Sequence, residues 1–164
     1  LNGKSYSNNY QLELAYQPID RLDLSAAIRF TDVKANYGDE LLIKPLSSKY
    51  KGLLTLSYST LESGWLFDSS FLLNGNGRIP STKQNPVEYQ REESFPAYLT
   101  VNAQITKKIE MLDIYLGVEN LTNYKQDNPI IAADDPFGNY FDASMIWGPI
   151  DGTKFYLGVR LSVL

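Results

Sequence analysis

From Lys154 to its end the chain alternates with period two. Phe155, Leu157, Val159, Leu161 and Val163 are apolar, whereas Lys154, Tyr156, Gly158, Arg160 and Ser162 are polar, small or amphipathic. Successive side chains of a strand point to opposite faces, so this stretch reads as a strand with one wholly apolar face and one face carrying two cations. Wound as a helix, the same residues would scatter Lys154 and Arg160 around the apolar stripe. Such a strand separates two media, and the rest of the chain is read for what lies on each side.

Six earlier segments repeat the pattern. Tyr10, Leu12, Leu14 and Tyr16 oppose Gln11, Glu13 and Gln17; Leu22, Leu24, Ala26, Ile28 and Phe30 oppose Asp23, Ser25, Arg29 and Thr31. Tyr50, Gly52, Leu54, Leu56 and Tyr58 oppose Lys51, Thr55 and Ser57; Trp65, Phe67, Ser69, Phe71 and Leu73 oppose Asp68, Ser70 and Asn74. In the fifth segment Phe95, Ala97, Leu99, Val101, Ala103 and Ile105 oppose Tyr98, Thr100, Asn102 and Gln104. In the sixth, Leu112, Ile114, Leu116 and Val118 oppose Asp113, Tyr115 and Glu119. Tight turns are expected at 17–20, at 61–64 and around 108–110, and long loops at 35–49, 75–94 and 123–152. Short and long connections therefore alternate, so that only one edge of the sheet is elaborated.

The apolar positions just named number about 34, and with 21% of the chain charged about seven of them would be charged by chance. None is. The opposite face carries Glu13, Asp23, Arg29, Lys51, Asp68, Asp113, Glu119, Lys154 and Arg160. Aromatic residues bound the aliphatic ones, Tyr10 and Tyr16 around Leu12 and Leu14, Tyr50 and Tyr58 around Leu54 and Leu56, with Phe30, Trp65, Phe95 and Phe155 also near strand ends. An aliphatic band between amphipathic rings is what a bilayer with two interfaces selects, and a tilted strand crosses it in roughly 9–11 residues. Leu12, Leu14, Leu54, Leu56, Ile114, Leu116, Val118, Leu157 and Val159 are accordingly read as lipid-facing. The alternative is a soluble lipocalin-like barrel with its apolar face inward. About seven strands in a meander, however, place the two edge strands parallel, and an open edge within a bilayer is forbidden. Both facts make the chain the tail of a larger sheet, and a start at Leu1 in mid-pattern agrees.

Composition narrows the function. The 164 residues contain no Cys and no His, which excludes disulfides, thiolate or imidazole metal sites and histidine triads within the chain. A net charge of −4 with no basic run gives no footprint for nucleic acid. No apolar run reaches the roughly 18 residues of a membrane-spanning helix, and no signal peptide opens the chain.

The stretch Tyr115-Leu116-Gly117-Val118-Glu119-Asn120-Leu121-Thr122-Asn123-Tyr124, with Asp127-Asn128-Pro129-Ile130, Trp147-Gly148-Pro149 and the closing strand, resembles the carboxyl end of TonB-dependent outer-membrane receptors, particularly those of Bacteroidetes-type bacteria. The resemblance spans the chain, most specifically 97–164. It implies an all-β, antiparallel, up-and-down transmembrane barrel of about 22 strands, of which residues 1–164 would be the last third. It further implies a location in the outer membrane of a Gram-negative bacterium, and import of a scarce nutrient (an iron chelate, cobalamin, another metal or an oligosaccharide) with energy coupling. The implied partners are the rest of the barrel with its amino-terminal plug domain, the TonB complex reached through that missing part, the lipid bilayer and the barrel-assembly machinery. The ending also resembles the signal read by that machinery, matched by Tyr156, Gly158, Leu161 and Val163, although many members end on Phe and this chain ends on Leu164. A passive porin-like channel is the other membrane alternative.

Little chemistry is expected. Asp127, Asp134, Asp135 and Asp142 have the oxygen chemistry of a calcium site but read as solvated loop carboxylates, so no metal or cofactor is assigned. Glu110 and Asp113 sit at a turn rather than in a cleft, and no enzyme is expected. Asn74-Gly75-Asn76-Gly77 is turn chemistry, because no helix pattern follows it. Asp134 and Asp135 with Tyr140, Phe141 and Trp147 form an acidic, aromatic stretch with two readings, a ligand contact at the barrel mouth or rings that pack the long loop onto its neighbours. Arg29, Arg160 and Glu119 would face the plug or the opposite wall.

Overall fold

The computed structural model describes residues 4–38 and 40–162. Its elements in chain order are β1 Tyr6–Ile19, β2 Leu22–Tyr37, β3 Glu40–Ile43, β4 Tyr50–Ser59, β5 Trp65–Asn74, β6 Gly77–Arg78, β7 Ser94–Phe95, β8 Tyr98–Ile109, β9 Leu112–Glu119 and β10 Lys154–Leu161, with one 3₁₀ turn at Val87–Tyr89. Every pairing is antiparallel. The long strands lie in the order β1-β2-β4-β5-β8-β9-β10, with β3 folded back on β2 and β6 paired with β7 outside this sheet. Residue 163, the last of the closing-strand signal, lies outside the described residues.

Register joins the alternating segments into two continuous faces. Residues directly opposite in an antiparallel pair share a face. One row runs through all seven long strands as Tyr16, Leu24, Leu56, Ser69, Ala103, Val118 and Phe155. The next runs Leu22, Tyr58, Phe67, Ile105, Leu116 and Leu157. Leu12 and Leu14 lie in rows with Gly52 and Leu54, and Ile114 and Val159 in a row with Trp65. Charge enters this face at the rims. Lys107 pairs with Trp65 at the short-turn end, its ammonium 5.0 Å from the indole centroid, and Asp32 and Lys34 follow Phe30 at the long-loop end.

Two sequence expectations are corrected. Phe95 is not at the start of a strand on the apolar face. It belongs to β7, opposite Gly77, and is only 2% exposed. Pro96 has no N–H with which to extend a ladder, and the Phe95 ring finds cover against Trp147, centroids 5.0 Å apart. Nor is 35–49 wholly loop, because β2 continues to Tyr37 and pairs with β3 from Lys34↔Ile43 to Tyr37↔Glu40. Beyond Phe30 the alternation changes sides, with Asp32, Lys34 and Asn36 continuing the face of Phe30 and Val33, Ala35 and Tyr37 that of Arg29, and the backbone stays paired.

The buried apolar side chains among the described residues, Ile79, Phe95, Ile131 and Ala132, are all outside the long strands. The apolar sheet face, by contrast, stands open, with Leu12 61%, Leu14 63%, Leu116 55%, Leu157 73% and Val159 62% exposed. The long loops pack on the other face. Tyr98, from the polar side of β8, donates its hydroxyl to the Trp147 carbonyl at 3.2 Å, and Asn102 on the same face accepts from the Asn120 N–H at 2.9 Å.

Candidate functional site

The loop layer is built outward from Asn120, where β9 ends. Its backbone takes φ 51°, a left-handed conformation that asparagine tolerates better than most residues. The buried amide then saturates itself. Nδ2 donates to the carbonyls of Tyr124 (2.8 Å) and Asp151 (3.1 Å), while Oδ1 accepts from the Tyr124 N–H (3.1 Å) and the Thr122 hydroxyl (3.0 Å). The single Thr122 hydroxyl proton is shared between Asn120 Oδ1 and the Leu99 carbonyl at 2.8 Å, and the Leu121 N–H donates to the Val101 carbonyl. The start of the last long loop is thus tied both to its end and to β8.

Gln126 repeats the device deeper in the loop. Its Nε2 donates to the Met145 carbonyl at 2.9 Å, and its Oε1 accepts from the N–H groups of Trp147 (2.8 Å) and Gly148 (3.1 Å). Trp147 is thereby fixed against Phe95, and Tyr124 stacks on Tyr98 with centroids 4.7 Å apart. Around these rings opens a cavity of about 420 Å³ lined by Ile79, Arg91, Glu92, Ser94, Pro96, Tyr124, Lys125, Gln126, Asp127, Asn128, Met145 and Trp147. That volume falls in the range of small-molecule sites, and the lining mixes aromatic surface with both signs of charge. Burial, and then Asp127, push the Tyr124 phenol above its ordinary value.

Of the residues read as a ligand loop, only Trp147 lines this cavity. Tyr140 packs on Tyr89, centroids 5.6 Å apart. Asp134 raises the Tyr89 phenol above its ordinary value, ahead of burial, Glu88 and Asp135. Asp142 Oδ1 accepts from the Ser144 N–H, and no cluster of three or more metal-ligating side chains occurs among the described residues. Sequence reading missed Arg91 and Gln126. Each stands in a polar run, and nothing in such a run separates a buried clamp from a solvated side chain.

In the closing strand, Tyr156 and Gly158 have a packing role. Tyr156 faces Gly117 and Tyr115 faces Gly158 across β9 and β10, and a Cβ on either glycine would collide with the opposing ring. The two rings meet edge to face at 6.3 Å, and the Tyr156 hydroxyl donates to Gln104 at 2.9 Å. Arg160 lies opposite Asp113 on this face, and Leu161 opposite Leu112 on the other.

No family model matches the sequence, and no curated protein matches it. Among solved structures, the chain is similar to a mutant of the ferric enterobactin receptor of Pseudomonas aeruginosa, at a TM-score of 0.63 and 13% identity, over 97% of this chain and 22% of that one. This chain therefore spans about a fifth of that receptor's length. The likeness supports an all-β sheet of barrel-wall type.

Proposed function

We propose that this chain is the carboxyl-terminal wall of an outer-membrane β-barrel belonging to a receptor that binds a scarce nutrient and imports it with energy coupling. The observation that carries the reading is the contrast between the faces: loops pack on the polar one, and the apolar one is continuous, bare and free of charge between its rims. Water would not tolerate so large an apolar surface, whereas lipid requires it. Band height supports this. From Leu22 to Phe30 the outward residues of β2 span eight steps, about 27 Å along the strand and about 20 Å after a tilt near 40°, against an apolar band of about 25 Å. Lys107 over Trp65 suits the interface, where a long stem lies on apolar surface while its ammonium reaches water. The short turns then face the periplasm and the loop layer faces outward, with the cavity beside Trp147 as the candidate ligand contact.

Energy coupling, a plug domain and the TonB partner rest on the resemblance of 97–164 and on the likeness to a siderophore receptor. The complete reading frame tests them. A plug of about one ordinary domain, roughly 120–150 residues, precedes the barrel in a coupled receptor, and a frame without one describes a passive channel. The face assignment is tested in the full-length protein by Leu157→Arg and Leu116→Arg, since a lipid-facing cation costs from about 1 kcal/mol near an interface to about 2–4 kcal/mol at the midplane. Both are expected to deplete folded protein from the membrane fraction, while Ser162→Arg on the polar face leaves it near wild type. Equal levels for all three variants sink the assignment.

A further inference from the structure

On the polar face, Arg29 and Lys51 stand directly opposite each other on β2 and β4. Like charges at opposed positions of an antiparallel pair repel, and a wall selected only for stability would separate them or interpose an acid. No acid is interposed. Their row continues through Gln11 on β1, Asn74 on β5 and Tyr98 on β8, all uncharged. The nearest carboxylate by register is Glu13, one row further from the loops, where it accepts a hydrogen bond from Gln11. Among the described residues the ion pairs are Lys83–Glu93 and Lys154–Asp151, so neither Arg29 nor Lys51 has one.

The two cations line a recess of about 260 Å³, together with Asn9, Thr31 and Asn74 and with Phe95 and Trp147 reaching over from the loop layer. Trp147 also lines the larger cavity among the loops, so the same indole borders both spaces. The wall supplies the Asn74 amide beside a guanidinium and an ammonium, while the Thr31 hydroxyl donates to Asn9 Oδ1 at 3.0 Å. A recess of this size admits one small charged group and its carbon frame, not a polypeptide segment.

We propose that Arg29 and Lys51 form an anion-binding step on the inner wall, taking a carboxylate or phosphate group of a solute that has passed the loop layer. The guanidinium offers two parallel N–H donors to a planar or tetrahedral oxyanion and the ammonium a mobile point charge, so the pair gains most from a ligand bearing at least two acceptor oxygens. Bound anion removes the repulsion between the cations. The inference rests on the barrel reading above, because in that reading this face lines the lumen.

The test is calorimetric titration of the full-length protein, purified in detergent at low ionic strength, with inorganic phosphate and with citrate. Wild type is expected to bind at least one of them. Arg29→Gln/Lys51→Gln is expected to bind at least tenfold more weakly, and Lys83→Gln, in the outer loop layer, to bind as wild type. Undiminished binding by the double variant overturns the site. So does a wild-type protein that binds neither anion while its double variant loses thermal stability, a result that would assign the counter-charge to the protein's own polypeptide. A wild-type protein that requires detergent yet binds neither anion overturns the site and leaves the barrel reading intact, whereas one monodisperse in plain buffer overturns both.

Discussion

Asn120 unites the two demands that the end of β9 makes on one residue, a left-handed backbone and a buried side chain that satisfies groups on both sides of a long loop. The demands separate by mutation. Asn120→Ala loses three hydrogen bonds and a share of the Thr122 proton and keeps a Cβ at φ 51°, and is expected to destabilise the folded protein by about 2–4 kcal/mol. Asn120→Gly loses the same bonds but regains about 1 kcal/mol from the backbone. Urea unfolding in detergent micelles reads the difference, and equal midpoints would show that φ carries none of the cost. Residues of this kind are only half legible in a sequence. Asn120 stood inside the stretch that carries the family resemblance, yet nothing in that stretch says which groups its amide serves. Tyr156 and Gly158 were legible as a pattern, but their physical cause, a tyrosine ring over the glycine opposite, requires the β9–β10 register.

The strands were legible as elements because one medium faces each side, and period two persists wherever that contrast does. It fails where the contrast ends. In the outer half of β2 the apolar residues change sides, Val33 and Ala35 falling on the face of Arg29 with Leu42 of β3 opposite Ala35, and Phe95 stands in period with β8 although Pro96 separates it from that strand. The loop layer was the least legible element, since its order depends on a few long-range contacts, those of Gln126 and the Phe95–Trp147 and Tyr98–Tyr124 stacks, rather than on periodicity. This layer carries its own prediction. Tyr124 has its phenol raised from 10.0 by burial and by Asp127, so the neutral form is the one the fold prefers. The associated stability is fully present below the unfolded value near 10.0 and is lost as pH rises through the higher folded value. With Trp65→Phe as background, Trp147 fluorescence is expected to report loosening of the layer above pH 10.0, and Tyr124→Phe, which keeps the stack, to delay or abolish it. An identical alkaline transition in Tyr124→Phe would assign the change to other groups.

At the scale of the whole molecule, the sheet is defined by what it does not cover. β1 and β10 each pair with a single neighbour among the described residues, and so each offers a free ladder of N–H and C=O groups. Those edges lie beside an apolar face on which Leu12, Leu14, Leu157 and Val159 are all more than half exposed. A soluble carrier would have joined its edges and turned that face inward, while a barrel wall hands the edges to further strands and the face to lipid. Size argues the same way, because the small buried core sits in the loops rather than on the sheet and gives the strands no apolar interior to fold around. Residues 1–164 produced alone are therefore expected to aggregate in plain buffer and to remain dispersed only in detergent, with β1 and β10 as the first strands to associate between copies. Size-exclusion chromatography with and without detergent checks this. A monodisperse monomer in plain buffer would mean that the apolar face finds cover within the chain itself, and the row from Tyr16 to Phe155 would then line an interior instead of meeting a membrane.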